Sequence, residues 1–468
     1  MHPRLGEDLD RLRELLDAVS DRAAHVLAGI GDRPVVRAGD GATGAPGAGL
    51  PLPVEGSGAD GALKLFAERW EPGFSGSAGP RYLGFVTGGV TPAALAGDWL
   101  TSAFDQNVSN RIGSAAADLE QETLGWLRSL FGLSEAHTGV FVSGATMSNL
   151  VGLAVAREWM GEQRGVSVTR DGLAALGPVE VLSGAAHSSI GKALSVLGLG
   201  RGALRRVRTL EGREAVDVGA LADELASLEG RPAVVVANAG TVNTVDFDDL
   251  QAIAALREQY PFWLHVDAAF GAFAALSPAH EHLVAALDAA DSVCVDLHKW
   301  LNVPYDAAVQ FTRRQDLQIA AFHNTSPYLG APTADPDPVH LAPENSRRLR
   351  ALPTWFALTA YGRTGHREIV ERTCTEAARL GAALAAEPAF RLLAPVRLNV
   401  VCFTLAGRPA QDDIDALLRR VAASGEAFLT PTVLDGVPAV RAAFSNWRTT
   451  GADTDRVLAA LRAAAAAH

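Results

Sequence analysis

The feature that most constrains the fold is a series of short apolar runs between Gly139 and Arg313 that alternate with helical patterns. The runs are GVFVSG, VEVLSG, AVVVANAG, FWLHVDAAF, SVCVDLHKW and AAVQFTR. Runs that are apolar almost throughout, rather than at every second position, are typical of strands covered on both faces. We therefore predict an α/β domain in which helices flank a mainly parallel sheet.

The rest of the chain supplies an N-terminal arm and a smaller domain. An amphipathic helix is predicted over MHPRLGEDLDRLRELLDAVSDRAAHVL, and the Gly/Pro-rich stretch Gly39–Gly61 favours an extended linker. After the Pro-rich stretch Pro327–Pro343, helical patterns and two apolar runs, NVVCFTL and the region of AVRAAFSNW, predict a smaller α/β domain. We expect the N-terminal helix and arm over 1–75, a large domain over 76–345 and a small C-terminal domain over 346–468.

Composition limits the partners and the compartment. The 468 residues are 48% hydrophobic and 20% charged, which suits a globular protein with a sizeable core. A net charge of −12 without a Lys/Arg block argues against a nucleic-acid partner. No apolar run reaches the roughly 20 residues that span a bilayer, so we expect no membrane partner. Because there is no signal-peptide pattern and no CxxC spacing among Cys294, Cys374 and Cys402, we expect a soluble protein of the reducing cytoplasm.

Small or polar residues directly follow five of the apolar runs. Parallel sheets bind ligands beyond the carboxyl ends of their strands, so these residues are the first candidates for a site. They are Gly144, Ala145 and Thr146 after the first run, then His187, Thr241 and Asp267, and finally the pair His298 and Lys299. We expect them to converge.

Two of these positions suit the two ends of a charged ligand. SGATMSNL leads from a strand into a helix, whose N-terminal N–H groups bind anions, and Thr146 adds a hydroxyl. The alternative is an ordinary helix N-cap. Asp267 ends a very apolar strand, where an ionised carboxylate needs a cation such as a protonated pyridine nitrogen. The neighbouring alanines allow a flat ring to approach, although Asp267 can instead cap the following turn.

A histidine and a lysine complete the set. His187 can lie against an aromatic ring, act as an acid or base, or serve as a structural hydrogen-bonding residue. Lys299 follows the buried run SVCVDLH, where an amine is disfavoured as a cation and becomes nucleophilic, although a lysine at a strand end can also reach the surface. An anion cradle, a histidine facing a ring, an aspartate for a pyridine nitrogen and a nucleophilic lysine are the parts of a pyridoxal 5'-phosphate (PLP) site. We predict no metal, although a zinc site joining His265, Asp267 and His298 stays open as an alternative.

The motifs HVDAAFG and HKWLNVPYDAA, with AHSSI and SGATMSN upstream of them, resemble the group II PLP-dependent amino-acid decarboxylases. This is the family of aromatic-L-amino-acid, glutamate and related bacterial decarboxylases. The similarity extends from about Pro80, in PRYLGFVTGG, to Arg372 and includes PENSRRLRALPTWFALTAYGRTG. It implies PLP fold type I with a mainly parallel seven-stranded sheet, a smaller C-terminal domain, and a homodimer over which the N-terminal arm wraps.

The resemblance also implies roles for individual residues. Lys299 carries the cofactor as a Schiff base, Asp267 pairs with the pyridine nitrogen and His187 stacks on the ring. The phosphate is held by Gly144, Ala145 and Thr146, while Thr241 lies near the polar edge of the ring, Ala269 under its face, and His298 near the phosphate or the mobile loop. Tyr82 and Phe85 resemble the lining of the side-chain pocket, which favours an aromatic or large apolar L-amino acid. The alternative is that both rings belong to the core.

Two positions depart from the family pattern. Asp296 stands where animal aromatic decarboxylases carry an asparagine near the phosphate, so we assign it no phosphate contact. The loop Ser326–Pro343 holds, in those enzymes, a catalytic tyrosine that protonates the carbanion after carbon dioxide leaves. The matching stretch here, ADPDPVHLAPENS, has no tyrosine; Tyr328 lies earlier and His340 is nearby. The proton donor is therefore open.

The reaction expected from these features is decarboxylation of an L-amino acid to the amine and carbon dioxide. Relatives without the loop tyrosine instead convert the amino acid to an aldehyde, so an aldehyde synthase is the main alternative. Aminotransferase or carbon-carbon lyase chemistry also stays open, because cofactor-binding residues do not decide which bond breaks. A PLP fold that has lost its activity and serves as a binding protein is the alternative from another class, against which the intact Lys299, Asp267 and His187 argue.

Overall fold

The computed structural model describes residues 1–36, 51–324 and 335–467. Its larger part is built on a seven-stranded sheet. The strands are β1 (Thr138–Val142), β2 (Val181–Ser183), β3 (Leu204–Arg206), β4 (Ala233–Asn238), β5 (Phe262–Asp267), β6 (Ser292–Asp296) and β7 (Ala308–Thr312). They lie in the order β1-β7-β6-β5-β4-β2-β3, and β7 is antiparallel to both of its neighbours. The prediction of a mainly parallel seven-stranded sheet is confirmed.

The α-helices of the described residues belong to the large sheet, to the small C-terminal sheet and to the N-terminal segment. They are α1 (Pro3–Asp10), α2 (Leu12–Ala28), α3 (Gly58–Arg69), α4 (Pro92–Phe104), α5 (Ala116–Leu130), α6 (Ala145–Gln163), α7 (Val168–Asp171), α8 (Leu173–Leu176), α9 (Ser188–Val196), α10 (Val218–Ala226), α11 (Leu250–Ala255), α12 (Leu297–Trp300), α13 (Gln315–Phe322), α14 (Ala351–Ala385), α15 (Gln411–Ala423) and α16 (Gly451–Ala466). Single-turn to two-turn 3₁₀ helices lie at Glu71–Gly73, Arg201–Ala203, Leu256–Glu258, Gly271–Leu276, Glu281–Val284, Leu287–Ala289 and Pro338–His340.

The central strands are buried on both faces, as their continuous apolar runs predict. Every residue of β4, β5, β6 and β7 is buried. Helix α6 packs across β5, β6 and β7 and also contacts α9. Its N-cap, Gly144, lies just beyond the end of β1, so the helix begins at the edge where the parallel strands end.

A second, smaller sheet lies in the C-terminal part of the chain. Its strands β8 (Phe390–Leu392), β9 (Val400–Leu405), β10 (Thr430–Leu434) and β11 (Val437–Ala443) are antiparallel in the order β10-β11-β9-β8. The predicted runs NVVCFTL and AVRAAFSNW are confirmed as β9 and β11. The backbone N–H of Leu83 donates to the Phe428 carbonyl at 2.8 Å, and Ala443 N–H donates to the Leu83 carbonyl at 2.9 Å. An early segment of the chain is thereby attached to the small sheet; the domain boundaries stay a prediction.

The N-terminal prediction was wrong in two respects. One continuous helix was expected, but α1 and α2 are separated at Arg11, whose φ of −106° and ψ of 15° depart from helical values. The predicted linker Gly39–Gly61 falls partly on residues 37–50, outside the described residues, and its end, from Gly58, belongs to α3. Gly58 and Gly61 did not prevent this helix, because α3 also contains good helix formers such as Ala62, Leu63 and Lys64.

The three cysteines, Cys294, Cys374 and Cys402, are all buried free thiols. In the part of the chain that the structure describes, no helix combines the length and apolarity needed to cross a bilayer.

Candidate active site

A cavity of about 490 Å³ lies at the carboxyl ends of the parallel strands. It is lined by every residue that the sequence predicts for cofactor binding: Gly144, Ala145, Thr146, His187, Thr241, Asp267, Ala269, His298 and Lys299. They come together because they lie at or shortly after the ends of five strands, β1, β2, β4, β5 and β6, which all end at this edge of the sheet.

One end of the cavity is formed by the start of α6. The first N–H groups of a helix have no partner within the helix and favour an anion. Asp296 Oδ2 accepts the N–H of Ala145 at 3.0 Å, while Asp296 Oδ1, although 3.1 Å from His298 Nε2, accepts no hydrogen bond within the described residues. Burial raises the pKa of Asp296 to about 6, against the opposing effects of Lys299 and of the Ala145 N–H. This carboxyl group therefore changes charge near neutral pH.

Asp267 is a second polar residue of the cavity lining. Its carboxylate is only 7% exposed and accepts hydrogen bonds from Asn149 Nδ2 at 2.9 Å, on Oδ2, and from Ala269 N–H at 3.2 Å, on Oδ1. It makes no ion pair with a lysine or arginine in the described residues. A nearly buried carboxylate without a cation is costly, so this position suits a ligand that brings a cationic nitrogen.

His187 and Thr241 also line the cavity, and each is held by neighbouring groups. His187 is the N-cap of α9, and its Nδ1 lies 2.8 Å from Ser189 Oγ. Burial lowers the pKa of His187, which keeps the ring neutral at pH 7. The Thr241 hydroxyl donates to Glu214 Oε2 at 2.6 Å and accepts the N–H of Asp246 at 2.9 Å. Its orientation is thus fixed.

Lys299 lies on α12, immediately after β6 and His298. Its Nζ is 5.6 Å from the centre of the Phe270 ring and makes no hydrogen bond or ion pair within the described ranges. The backbone there is tightly packed: a Cβ at Gly88 would come within 1.8 Å of the Lys299 carbonyl oxygen, so only glycine fits. A fixed backbone and an unpaired amine suit a residue that bonds covalently to a ligand.

His298 stands beside the lysine and is neutral at physiological pH. Burial, assisted by Lys299, lowers its pKa to about 4. Its Nδ1 accepts the Ala307 N–H at 3.4 Å, and its ring centre lies 4.1 Å from that of Tyr305. Tyr305 also lines the cavity, and burial raises the pKa of its hydroxyl, which therefore stays protonated.

Arg441 of β11 is a lining residue that the sequence analysis missed. It is 7% exposed, donates from Nη2 to the Phe85 carbonyl at 3.0 Å, and has no hydrogen-bond partner for Nε in the structure as described. Burial lowers its pKa to about 10, so it remains a cation. The sequence does contain a signal for Arg441: it is a charged residue inside the apolar run VPAVRAAF, where burying an unpaired charge is costly.

The two predicted pocket aromatics occupy different places. Phe85 lines the cavity, whereas Tyr82 does not; its ring stacks on Phe428 with centroids 4.7 Å apart. His340 is buried away from the cavity lining, and its Nδ1 accepts the Asn324 N–H at 3.1 Å. Tyr328 lies outside the described residues.

The alternative zinc site finds no support in the side-chain geometry. Both ring nitrogens of His265 are within hydrogen-bonding distance of protein groups, Asn149 Oδ1 at 2.9 Å and Ser292 Oγ at 2.7 Å. Across the described ranges, no group of three or more His, Cys, Asp or Glu side chains is arranged to hold a metal ion.

The donor set fits PLP. A helix N-terminus and the Thr146 hydroxyl suit a phosphate, the cation-free carboxylate of Asp267 suits a protonated pyridine nitrogen, and the unpaired Lys299 amine suits an aldehyde. The cavity volume lies within the range of small-molecule sites, about 300–1,000 Å³.

Comparisons with known proteins agree with this chemistry. A family model described as the pyridoxal-dependent decarboxylase conserved domain matches residues 67–406. The aromatic-L-amino-acid decarboxylase of Bacillus atrophaeus is 29% identical over 400 residues, which cover 82% of this chain and 81% of the relative. The phenylacetaldehyde synthase of a Rosa hybrid cultivar is 25% identical over 405 residues, covering 80% and 77%.

A solved structure shows the same fold. The crystal structure of Oryza sativa TDC with PLP and tryptamine superimposes with a TM-score of 0.90 over 98% of each chain, at 22% identity. The family model, which spans most of the chain, and the cavity chemistry lead to one conclusion: the chain belongs to the pyridoxal-dependent decarboxylase family and is a PLP-dependent carboxy-lyase.

Proposed function

We propose that the protein carries PLP on Lys299 and decarboxylates an aromatic or large apolar L-amino acid to the amine and carbon dioxide. The observation that carries this proposal is the convergence, in one cavity, of the unpaired Lys299 amine, the cation-free Asp267 carboxylate and the N-terminus of α6. When bound, PLP supplies an aldehyde that captures the substrate amine and a pyridine ring that accepts the electron pair released with carbon dioxide.

Each residue has a role that its surroundings support. Lys299 Nζ would hold PLP at its aldehyde carbon until the substrate amine takes that place. Asp267 would keep a proton on the pyridine nitrogen, and His187 would pack against the ring. The first turn of α6, with Gly144, Ala145 and Thr146, would bind the phosphate next to His298, while Thr241 and Ala269 would border the ring. The bond from Cα to the carboxylate carbon breaks, and a proton is returned to Cα.

The substrate class is proposed from the remaining lining residues. Arg441 is a buried cation with an unpartnered Nε, and a cation of this kind binds a carboxylate through charge-assisted hydrogen bonds. Phe85 offers an aromatic surface at the cavity wall. The name of the Bacillus atrophaeus relative supports an aromatic L-amino acid.

A second candidate reaction is oxidative conversion of the amino acid to an aldehyde. It consumes dioxygen and water and releases carbon dioxide, ammonia and hydrogen peroxide. Two observations favour keeping it: residues 335–346 contain no tyrosine, and a relative of similar coverage is named a phenylacetaldehyde synthase. The two reactions differ in whether Cα is protonated or oxidised.

We also propose that the enzyme is a cytoplasmic homodimer. Leu5, Leu9, Leu12 and Leu16 are exposed at helical spacing along α1 and α2, which forms an apolar stripe that a partner would cover. The free buried cysteines suit a reducing compartment. A monomeric mass in light scattering, at protein concentrations used for activity, would contradict the dimer.

The experiment is a panel of L-amino acids incubated with the PLP-loaded protein and scored for carbon dioxide, amine, aldehyde and peroxide. Amine with carbon dioxide supports the first reaction, and aldehyde with peroxide supports the second. Lys299→Ala should abolish turnover, whereas Lys192→Ala, at an exposed lysine of α9 outside the cavity, should not change it. An active Lys299→Ala variant would contradict the proposed function.

A further inference from the structure

Asn149, a buried residue of α6, joins groups on two walls of the cavity. Its Nδ2 donates to Asp267 Oδ2 at 2.9 Å and to Ser189 Oγ at 3.0 Å. Its Oδ1 lies 2.9 Å from Nε2 of His265. The side chain is completely buried, so water does not compete for these contacts. One amide thus makes three hydrogen bonds, two of which lead towards Asp267 and His187.

The direction of these hydrogen bonds follows from the chemistry of the partners. An ionised carboxylate only accepts, so the NH₂ group of Asn149 must face Asp267, and its carbonyl oxygen must face His265. Burial lowers the pKa of His265 to about 4, so the ring is neutral and carries one proton, which must lie on Nε2. Its Nδ1 then accepts the hydroxyl proton of Ser292, whose Oγ accepts the indole N–H of Trp263 at 3.0 Å.

A second branch runs from Asn149 to His187. Because Ser189 Oγ accepts one N–H of Asn149, its hydroxyl proton is free to point at His187 Nδ1, 2.8 Å away. The backbone N–H of Ser189 also donates to this Nδ1, at 3.3 Å. With two donors facing Nδ1, the neutral imidazole of His187 must carry its own proton on Nε2.

The backbone of α6 makes this arrangement possible. Asn149 lies four residues after Ala145, so both are on the same face of the helix. Gly152, one turn further, allows α6 to approach β5, because a Cβ there would come within 2.7 Å of the His265 ring. A single helix therefore contacts both Asp296, through the Ala145 N–H, and Asp267, through Asn149.

We propose that Asn149 is a positioning residue for cofactor binding: it orients the Asp267 carboxylate and, through Ser189, keeps the His187 ring in the tautomer protonated on Nε2. This inference rests on the proposed roles of Asp267 and His187. Asn149 itself does not line the cavity. Its effect is on how tightly the ring nitrogen is held and on which nitrogen of His187 carries a proton.

The test uses variants that cut the network at different points. Asn149→Leu removes both branches with an apolar side chain of similar size, and Asn149→Ser removes them with a shorter side chain that stays polar. Ser189→Ala removes only the branch to His187. Ser148→Ala is the matched control, since its hydroxyl donates to the Val309 carbonyl at 2.9 Å from the same turn of α6, away from this network. Thermal unfolding of each variant shows that the fold is retained.

Two readouts separate positioning from a general packing defect. The first is the dissociation constant of PLP, from titration of the apoprotein. The second is the His187 tautomer, from ¹⁵N NMR of histidine-labelled protein assigned with His187→Gln. Both Asn149 variants should weaken PLP binding about tenfold, the effect expected from one hydrogen bond to a charged group, and should populate a second tautomer of His187. Ser189→Ala should leave the PLP affinity unchanged and shift the tautomer only in part, because the backbone N–H of Ser189 still faces Nδ1, and Ser148→Ala should change neither.

The outcomes distinguish this inference from the proposed function. Wild-type PLP affinity with an unchanged tautomer in both Asn149 variants would overturn the inference. Equal weakening by Ser148→Ala would also overturn it, because any lost hydrogen bond on the helix would then suffice. Asp267→Ala is measured in parallel: if that change also leaves PLP affinity unaltered, it is the proposed role of Asp267 that fails.

Discussion

Arg441 donates a hydrogen bond from Nη2 to the carbonyl oxygen of Phe85 at 3.0 Å, which places a buried cation next to an aromatic ring at the cavity wall. Phe85 has a φ of 57°, a left-handed conformation that is unusual for a phenylalanine and is maintained here by the surrounding structure. A cation and an aromatic surface side by side match the two ends of an aromatic amino acid.

The first prediction concerns this cation. Arg441→Gln should raise KM for the amino-acid substrate and lower kcat/KM by about 10- to 100-fold, because charge-assisted hydrogen bonds to the carboxylate are lost. Steady-state kinetics on the best substrate of the panel measure it. Arg448→Gln, at an arginine that stacks on Trp447 and does not line the cavity, is the control. Equal kinetic effects of the two changes would remove Arg441 from substrate recognition.

The second prediction concerns the proton donor. Of the tyrosines in the described ranges, Tyr305 lines the cavity, and burial raises the pKa of its hydroxyl. Tyr305→Phe should lower the yield of amine and increase aldehyde and peroxide per carbon dioxide released, because Cα loses a source of protons. The control is Tyr82→Phe, whose ring lies against Phe428. Unchanged product ratios in Tyr305→Phe would show that the proton comes from elsewhere.

The third prediction concerns pH and the cofactor. The pKa of Asp296 is raised to about 6 by burial, so the carboxyl group is neutral below that pH and ionised above it. An ionised Asp296 at the start of α6 repels the proposed phosphate, and Asp296→Asn should therefore bind PLP more tightly than wild type at pH 8 but not at pH 5. Titration of the apoproteins at both pH values measures this. Asp249→Asn, at the N-cap of α11, is the control, and an equal effect at both pH values would contradict the prediction.

The fourth prediction concerns stability. Burial lowers the pKa of His366 to about 4, below the usual value near 6.5. Between these two pH values the unfolded chain binds more protons than the folded one, so stability falls as pH decreases from 6.5 to 4, by about 3 kcal/mol for this group. His366→Phe should reduce this loss, measured by urea unfolding at pH 7 and pH 4. His282→Phe, at an exposed histidine, should keep the wild-type dependence; the same slope in both variants would rule out His366 as its source.

The strand-end residues could be predicted because their signal is local. Asp267 and Lys299 each follow a continuous apolar run, and the rule that ligands bind beyond parallel strand ends brings such residues together without knowledge of the strand order. Strand β3, by contrast, has only three residues, two of them arginines, and gives no apolar run to detect. The helix α3 was missed because the glycines around it resemble a linker.

The contacts of Arg441 and Asn149 could not be predicted, because they depend on packing between distant parts of the chain. Arg441 lies on β11, and its position at the cavity depends on how the small sheet packs against distant parts of the chain, such as the segment around Leu83. Asn149 was inside the quoted SGATMSN motif, but its function depends on the register of α6 over β5, which Gly152 permits. Side-chain networks of this kind require coordinates.

The attachment of Leu83 to Phe428 and Ala443 has an evolutionary consequence. Arg441 lies in the small sheet and Phe85 in the segment attached to it, and both are proposed to select the amino acid, whereas Asp267 ends β5 of the large sheet and His187 follows β2. Substitutions that alter substrate preference can therefore arise in the small sheet and its attached segment without changing the residues proposed to bind PLP. A single scaffold divided in this way is suited to diversify over many amino acids.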